Sequence, residues 1–265
     1  QIIGYELPDS AIIISSIKNV MKYIGNTDSI SYLNFLEDAY IFLDNYHEYD
    51  FMETIISETE KLLDDDKLGT DNNRALLLNN KAMLPMNRNE KLAHSISLMN
   101  KALSMCDEKS NPVLFANINM NLGILYIENK ETERGLEFMD KAYLFIKLCR
   151  AYNDDFISIA RNYAATLCEN MRVDKALDVL LECEFATEEC CSNNHAALLY
   201  DLGAAYILVG NYPLAVKKYS LAFAEYSALG CSEELTARKI AAAQQMQRYG
   251  YEYPKEWGTD YLERS

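Results

Sequence analysis

Apolar and small residues recur along this chain at helical spacing. In the stretch LYDLGAAYILVGNYPLAVKKYSLAF, residues 199–223, the small residues Gly203, Ala215 and Ala222 stand between large aromatic side chains. Apolar residues three and four positions apart are typical of one face of an α-helix. Glycine inside a helix costs about 1 kcal/mol relative to alanine, so Gly203 indicates a place where two helices cross closely. The stretch therefore predicts an antiparallel pair of helices.

The same arrangement repeats along the chain. The first small residue recurs at 123, 164 and 203, and the second at 135, 176 and 215, so both repeat at intervals of 41 and 39 residues. Weaker copies cover 29–63 and 74–105. Such a period is typical of stacked two-helix repeats, each of which buries its apolar face against the next.

Composition narrows the possible functions. The chain has 265 residues, 49% of them hydrophobic, which is enough for a substantial core. Its formal net charge of −15 argues against this segment binding nucleic acid or an anionic membrane, since either needs a basic face. No apolar run reaches the roughly 18 to 20 residues that span a bilayer. Seven cysteines without a CxxC pair indicate reduced thiols, and we expect a cytoplasmic protein with no metal.

The sequence gives little support for catalysis. The histidines His47, His94 and His195 share no spacing, and we expect each to be a surface or capping residue. No phosphate-binding loop and no nucleophile, zinc-protease or dinucleotide motif occurs. We therefore predict neither enzyme activity nor a cofactor.

The best-preserved repeat resembles the tetratricopeptide repeat. The positions that carry this resemblance are Leu202, Gly203, Tyr206, Gly210, Tyr212, Ala215, Tyr219 and Ala222. Repeats of about 40 residues exceed the usual 34. This longer form resembles the sensor domains of bacterial peptide-responsive regulators, the group that contains PlcR, NprR and the Rap proteins. Kinesin-light-chain-like and MalT-like repeat domains have a similar repeat length.

The resemblance implies an all-α fold, a right-handed superhelix of about five antiparallel helix pairs with a C-terminal capping helix. We expect a leader or linker helix over 1–28, repeats over 29–231, and the capping helix with an aromatic tail over 232–265. The repeats themselves are expected at about 29–66, 72–108, 113–150, 154–190 and 193–229.

In such a fold the first helix of each pair lines a concave groove. Asn121, Asn162 and Asp201 stand two residues before the first small position, and Asn80 lies 41 residues before Asn121. The resemblance implies that asparagines on this face hold the backbone of an extended peptide, because an amide both donates and accepts hydrogen bonds. The alternative is that these side chains cap or bridge neighbouring helices.

Further groove residues are expected beside this series. Arg161 could pair with a ligand carboxylate, or instead with Glu169 or Asp155 on the surface. The other residues expected on this face are Tyr200, Met120, Ile124 and Ile127.

The resemblance implies a binding module. The leading hypothesis is the peptide-sensing domain of a cytoplasmic bacterial transcriptional regulator, in which a short peptide shifts the population of conformations and so biases a homodimer or an attached output domain. The second hypothesis is a constitutive scaffold that docks a segment of a partner protein. A third, a Rap-like enzyme inhibitor, would need an N-terminal helical bundle, for which the residues before the first helix pair are too few.

Overall fold

The structure is a computed structural model, and it describes residues 10–24, 29–45, 48–64, 68–87, 91–150, 152–187 and 192–230, with four positions at 237, 240, 241 and 244. All regular secondary structure within these ranges is helical, which confirms the all-α class. The helices with printed bounds are α1 Ser10–Ile24, α2 Ser29–Asn45, α3 Tyr49–Leu63, α4 Asp71–Asn87, α5 Leu92–Met105, α6 Pro112–Glu128, α7 Thr132–Leu148, α8 Asp154–Glu169, α9 Val173–Ala186, α10 Asn193–Leu208 and α11 Tyr212–Ala228.

The chain forms two compact units, Gln1–Gly135 and Leu136–Ser265, and the boundary between them falls within α7. The first unit holds the helix pairs α2/α3 and α4/α5, and the second holds α8/α9 and α10/α11. The apolar run over 11–17 forms part of α1. The division into five repeats stays a prediction, and most of the predicted capping helix and the whole aromatic tail lie outside the described residues.

The core of the first unit follows the apolar spacing of its helices. Leu36 and Leu43, seven residues apart on α2, are fully buried, as is Met52 on α3. Ile13 and Ile17, one turn apart on α1, pack into the same cluster. The four-residue and seven-residue intervals place these side chains on single faces of their helices, which pack together.

Small residues mark the closest helix approaches. A β-carbon added at Gly203 would stand 2.6 Å from Cδ1 of Tyr219 in the second unit. In the first unit, a β-carbon at Gly135 would stand 2.5 Å from the main-chain oxygen of Gly123. Ala215 on α11 is fully buried. These contacts explain why the sequence places small residues at a fixed period inside helices.

The turn within a helix pair has the same backbone form in three places. Lys130, Met171 and Gly210 have positive φ angles of 65°, 59° and 76°. Each donates its N–H to the carbonyl three residues earlier, and the next residue donates to the carbonyl five residues earlier. This bond pattern is the Schellman motif, which favours glycine at the left-handed position. Alignment of the repeats predicts a glycine-type turn at position 171, and the chain has methionine there.

Four helix starts are capped by side chains. The side-chain oxygens of Asn111, Asn153, Ser192 and Asn211 each accept the N–H three residues further on. Such caps satisfy one of the N–H groups that the first turn of a helix leaves without a partner.

Candidate functional site

Three asparagine amides form a hydrogen-bonded chain in the first unit. Asn121 Nδ2 donates to Asn79 Oδ1 at 2.9 Å, and Asn79 Nδ2 donates to Asn80 Oδ1 at 3.1 Å. Asn79 is buried, whereas Asn80 and Asn121 are half-buried. The structure therefore brings Asn80 and Asn121 together through a third amide between α4 and α6. The sequence analysis missed Asn79, although it directly precedes Asn80.

The chain of amides continues toward α2. The Tyr40 hydroxyl donates to the main-chain oxygen of Asn80 at 2.9 Å. Beside this bond lies a cavity of about 10 Å³ lined by Glu37 and Asn80, about the space of one water molecule. Glu37 stands two residues before the small residue Ala39, so it shares the register of the asparagines. Burial, with the negative charge of Asp38, raises the pKa of the Glu37 carboxyl.

The three apolar residues expected in the groove differ in exposure. Met120 is 2% exposed, so it is a core residue and does not line an open surface. Ile124 and Ile127 are half-buried. The expectation for Met120 fails because ten of the 17 residues of α6 are buried, so the apolar pattern alone does not separate an open face from a packed one.

In the second unit, Arg161 on α8 forms an ion pair with Asp201 on α10. Arg161 Nε donates to Asp201 Oδ2 at 2.5 Å. The Arg161 side chain is 28% exposed and that of Asp201 is 9% exposed. Burial raises the pKa of the Asp201 carboxyl, and the Arg161 guanidinium opposes that rise. Asp201 is thus a partner of Arg161 that the sequence analysis did not name.

The two polar contacts use one register, each within its own unit. Asn121 bonds the residue 42 positions earlier, and Asp201 bonds the residue 40 positions earlier. Both contacts join two first helices at equivalent positions. The residue two positions before the small residue of one helix contacts the residue three positions before the small residue of the preceding first helix. Asn121 and Asp201 therefore bridge neighbouring helices, as the alternative interpretation predicts. Asp201 is too deeply buried to meet a ligand directly.

Asn162 and Tyr200 lie on the more exposed part of this region. Asn162 is exposed, and its main-chain oxygen accepts the Thr166 hydroxyl at 3.0 Å. Tyr200 is half-buried and packs edge to face on Tyr219, with ring centroids 5.2 Å apart. Asn162 follows Arg161 on α8 and Tyr200 precedes Asp201 on α10, so both are next in sequence to the members of the ion pair.

His195 differs from the sequence expectation. It is 5% exposed, and its Nδ1 lies 3.0 and 2.9 Å from the two carboxylate oxygens of Glu225. The surface or capping role expected for His195 is therefore wrong, because Glu225 on α11 closes over it. His94 is exposed on α5, and His47 lies outside the described residues.

Among the described residues, no group of three or more His, Cys, Asp or Glu side chains is arranged to hold a metal ion. None of the described helices is both long enough and apolar enough to cross a membrane.

The chain is similar in structure to several solved proteins, whereas no protein-family model and no curated protein matches its sequence. The apo form of RapI has a TM-score of 0.61 at 15% identity, with 96% of this chain and 69% of RapI covered. The apo form of the quorum sensor NprR from B. thuringiensis has a TM-score of 0.57 at 12% identity, with 97% and 70% covered. BtubC (BKLC) from P. vanneervenii has a TM-score of 0.60 at 12% identity, with 83% and 89% covered.

Identities this low carry the fold alone. The repeated helix pairs, the small residues at their crossings and the shared turn geometry agree with that match. The chain therefore has a fold like that of tetratricopeptide-repeat proteins, and its structure resembles those of the Rap and NprR sensors.

Proposed function

We propose that this chain is the peptide-sensing regulatory domain of a cytoplasmic bacterial transcriptional regulator, and that it binds a short peptide along its first helices. The observation that carries the proposal is the polar register on those helices. In each unit the register places side chains with hydrogen-bonding capacity between neighbouring first helices, at Asn121 in one unit and at Arg161 in the other, and it leaves the amide of Asn80 half-buried and that of Asn162 exposed.

The chemistry of these side chains suits a peptide. An amide offers a donor and an acceptor, so it can bond the peptide backbone whatever side chains the peptide carries. Arg161 is held by a buried carboxylate, so it is oriented before a ligand arrives, and a guanidinium favours a carboxylate such as a peptide C-terminus. Tyr200 adds a half-buried aromatic surface for an apolar side chain.

The same contacts suggest how binding would be transmitted. The Asn121–Asn79 bond joins α6 to α4, and the Arg161–Asp201 pair joins α10 to α8. A peptide that bonds Asn121 and Arg161, the more exposed member of each contact, favours one spacing of the first helices over another. Binding then shifts the population toward that spacing, by no more than the difference in affinity for the two states. The quorum sensor NprR, which is similar in fold, supports a sensing role.

A constitutive scaffold is the second candidate. It is favoured by the finding that Asn121 and Asp201 already bond neighbouring helices, since such bonds stiffen the stack without any ligand. In this case a partner segment would bind with little change in the spacing of the helices.

The test begins with affinity selection and mass spectrometry on a pooled synthetic library of short peptides with free carboxyl termini. The most enriched peptide is then titrated by calorimetry into the unmodified protein and into Asn162→Ala. Asn162 is exposed, so the variant keeps its fold, and we expect at least about tenfold weaker binding, which corresponds to 1.4 kcal/mol. Ser220→Ala, an exposed change on α11, serves as the control and should bind normally.

The outcomes separate the candidates. Enrichment of no peptide contradicts the proposal, as does equal affinity in Asn162→Ala and the unmodified protein. If a peptide binds and small-angle scattering changes with it, the sensor is supported. Binding with an unchanged scattering curve supports the scaffold. C-terminal amidation of the peptide should weaken binding if Arg161 contacts its carboxylate.

A further inference from the structure

A cavity of about 510 Å³ lies in the first unit, where α3 ends, α4 begins and α5 ends. We call it the α3–α5 cavity. Its volume is within the range of about 300 to 1,000 Å³ that small-molecule sites have. None of the groove residues named in the sequence analysis lines it, so it is separate from the polar register on the first helices.

Part of the cavity wall is apolar. Leu63 and Leu77 are buried, and Leu78 and Met105 are half-buried. These side chains come from three different helices. An apolar group placed against them would leave water, and its burial would favour binding.

Two of the five charged side chains in the wall already have partners. Lys61 Nζ lies 2.6 Å from Glu58 Oε1, and Lys81 Nζ lies 2.5 Å from Glu60 Oε1, so the wall residues Lys61 and Glu60 are both neutralised. Among the described residues, the charged wall side chains that have no ion pair are those of Asp64, Arg74 and Lys101, and all three residues are exposed.

The Arg74 side chain is held beside the cavity. Its Nε donates to the main-chain oxygen of Gly69 at 2.9 Å, and its Nη2 donates to that of Leu63 at 3.0 Å. A β-carbon on Gly69 would stand 2.5 Å from Arg74 Nη2, so the lack of a side chain at 69 admits the guanidinium. A guanidinium has five N–H donors, which leaves three after these two bonds. The group is therefore oriented before a ligand arrives, which lowers the cost of binding.

The unpaired charges favour a ligand with one negative charge. Arg74 and Lys101 against Asp64 give a net charge of +1 at the cavity wall, two cations less one carboxylate. A carboxylate neutralises this charge, and both cations form charge-assisted hydrogen bonds with carboxylates. A phosphate with two negative charges would leave one of them uncompensated, and Asp64 would repel it.

We propose that the α3–α5 cavity binds a small amphipathic monocarboxylate. The carboxylate would bond Arg74 and Lys101, and the apolar part would lie against Leu77 and Leu78. A medium-chain fatty acid and the apolar C-terminal residue of a peptide both have this chemistry. The inference does not depend on the proposed peptide site, so Asn162→Ala should bind the monocarboxylate normally.

Calorimetric titration of octanoate into the unmodified protein tests the proposal. We expect at least about tenfold weaker binding of octanol, which lacks the charge, and of acetate, which lacks the apolar part. Octyl phosphate should also bind more weakly at neutral pH. N-acetyl-leucine distinguishes the two sources of the carboxylate: it should bind more tightly than octanoate if the site is built for a C-terminal residue, and more weakly if it is built for a free acyl chain.

Lys101→Glu supplies a readout that a purely structural role would not give. It changes the net unpaired charge of the wall from +1 to −1, so octanoate should bind at least about tenfold more weakly and octylamine more tightly. Lys217→Glu is the matched control, because it reverses the same charge at an exposed position of α11 in the second unit. It should bind octanoate normally. Met105→Gln, which removes apolar surface at similar length, should also weaken octanoate binding.

Four results would overturn the proposal. They are no saturable binding of octanoate up to about 10 mM, equal affinities for octanol and octanoate, tighter binding of octyl phosphate than of octanoate, or an octanoate affinity that neither Lys101→Glu nor Met105→Gln changes. Circular dichroism checks that each variant is helical, and the two separate cavity variants guard against the misfolding of one.

Discussion

The ring of Tyr219 occupies the space that a side chain at position 203 would need. A β-carbon on Gly203 would stand 2.6, 2.7 and 2.9 Å from three ring atoms. Tyr219 is 2% exposed, so its ring has little room to move away. The α10/α11 crossing therefore depends on the absence of a side chain at 203 and on the presence of a large one at 219.

Replacement of Gly203 by alanine should lower stability although alanine is the better helix former. Overpacking costs about 1 to 3 kcal/mol, against a propensity gain of about 1 kcal/mol, so we expect a net loss. Urea unfolding measures this loss as a decrease in the free energy of unfolding. The double variant Gly203→Ala with Tyr219→Leu should lose less than the sum of the two single changes. A Gly203→Ala protein as stable as the original would contradict the close contact.

The turn at Met171 predicts a stabilising change. Methionine there has φ of 59°, a conformation that costs an L-residue about 1 to 2 kcal/mol and glycine much less. Met171 is 77% exposed, so Met171→Gly removes no core contact and should raise the free energy of unfolding by about 1 kcal/mol.

The matched control is the equivalent turn position Gly210. A β-carbon there would meet no atom within 4 Å, so Gly210→Ala should destabilise through its backbone alone, at φ of 76°. In thermal unfolding we expect Met171→Gly to raise the melting temperature and Gly210→Ala to lower it. If both variants lose stability, backbone strain at 171 is not the explanation.

Removal of one member of the Arg161–Asp201 pair should lower the stability of the fold. Arg161→Gln leaves the Asp201 carboxylate buried without its cation, and we expect a loss of about 2 kcal/mol, below the full cost of a buried pair because Arg161 is partly exposed. Asp201→Asn in the same chain should recover much of that loss. A loss that is equal in the single and double variants would show that packing of the arginine, rather than charge, is responsible.

The deficit of Arg161→Gln should depend on pH. Burial already raises the pKa of Asp201 above its unfolded value, and removal of Arg161 raises it further. A carboxyl with a raised folded pKa favours folding below the unfolded pKa, and that contribution is lost as pH rises through the folded pKa. The variant should therefore approach the original in stability at acid pH. A deficit that stays constant with pH would contradict this assignment.

Two cysteines should differ in reactivity. Burial, with the nearby negative charges of Asp201 and Glu169, raises the pKa of the Cys168 thiol to about 12, whereas Cys149 is exposed. Iodoacetamide at pH 8 should label Cys149 in the folded protein and Cys168 only after unfolding, because the thiolate is the reactive form. Peptide mass mapping reads both sites. Equal labelling rates in the native protein would disprove the buried placement.

The repeat period predicted the fold because it reports packing within a helix pair. Gly203 and Tyr219 are both visible in the pattern, and the turn glycine expected at 171 corresponds to a left-handed backbone that methionine adopts instead. Small residues are informative here since only a close approach of two helices explains them.

Contacts between pairs were harder to predict. Arg161 was expected to pair with a ligand carboxylate or with Glu169 or Asp155, and its ion pair with Asp201, 40 residues away and in the series already recognised, was missed. His195 was expected at the surface or as a cap, whereas it is buried and contacts Glu225, 30 residues later. A spacing rule finds residues on one face, whereas these partners are set by how neighbouring pairs stack.

The asparagine chain of the first unit has a direction. Each amide donates toward Asn80: Asn121 to Asn79, and Asn79 to Asn80. An amide reverses its donor and acceptor when it turns over, so one member cannot reverse without breaking the bond to its neighbour. The three therefore act as a single polar unit with an acceptor end at Asn121 and a donor end at Asn80. A bound molecule that places a donor at Asn121 and an acceptor at Asn80 meets matching groups. A molecule bound in the opposite direction requires all three amides to rotate by 180°.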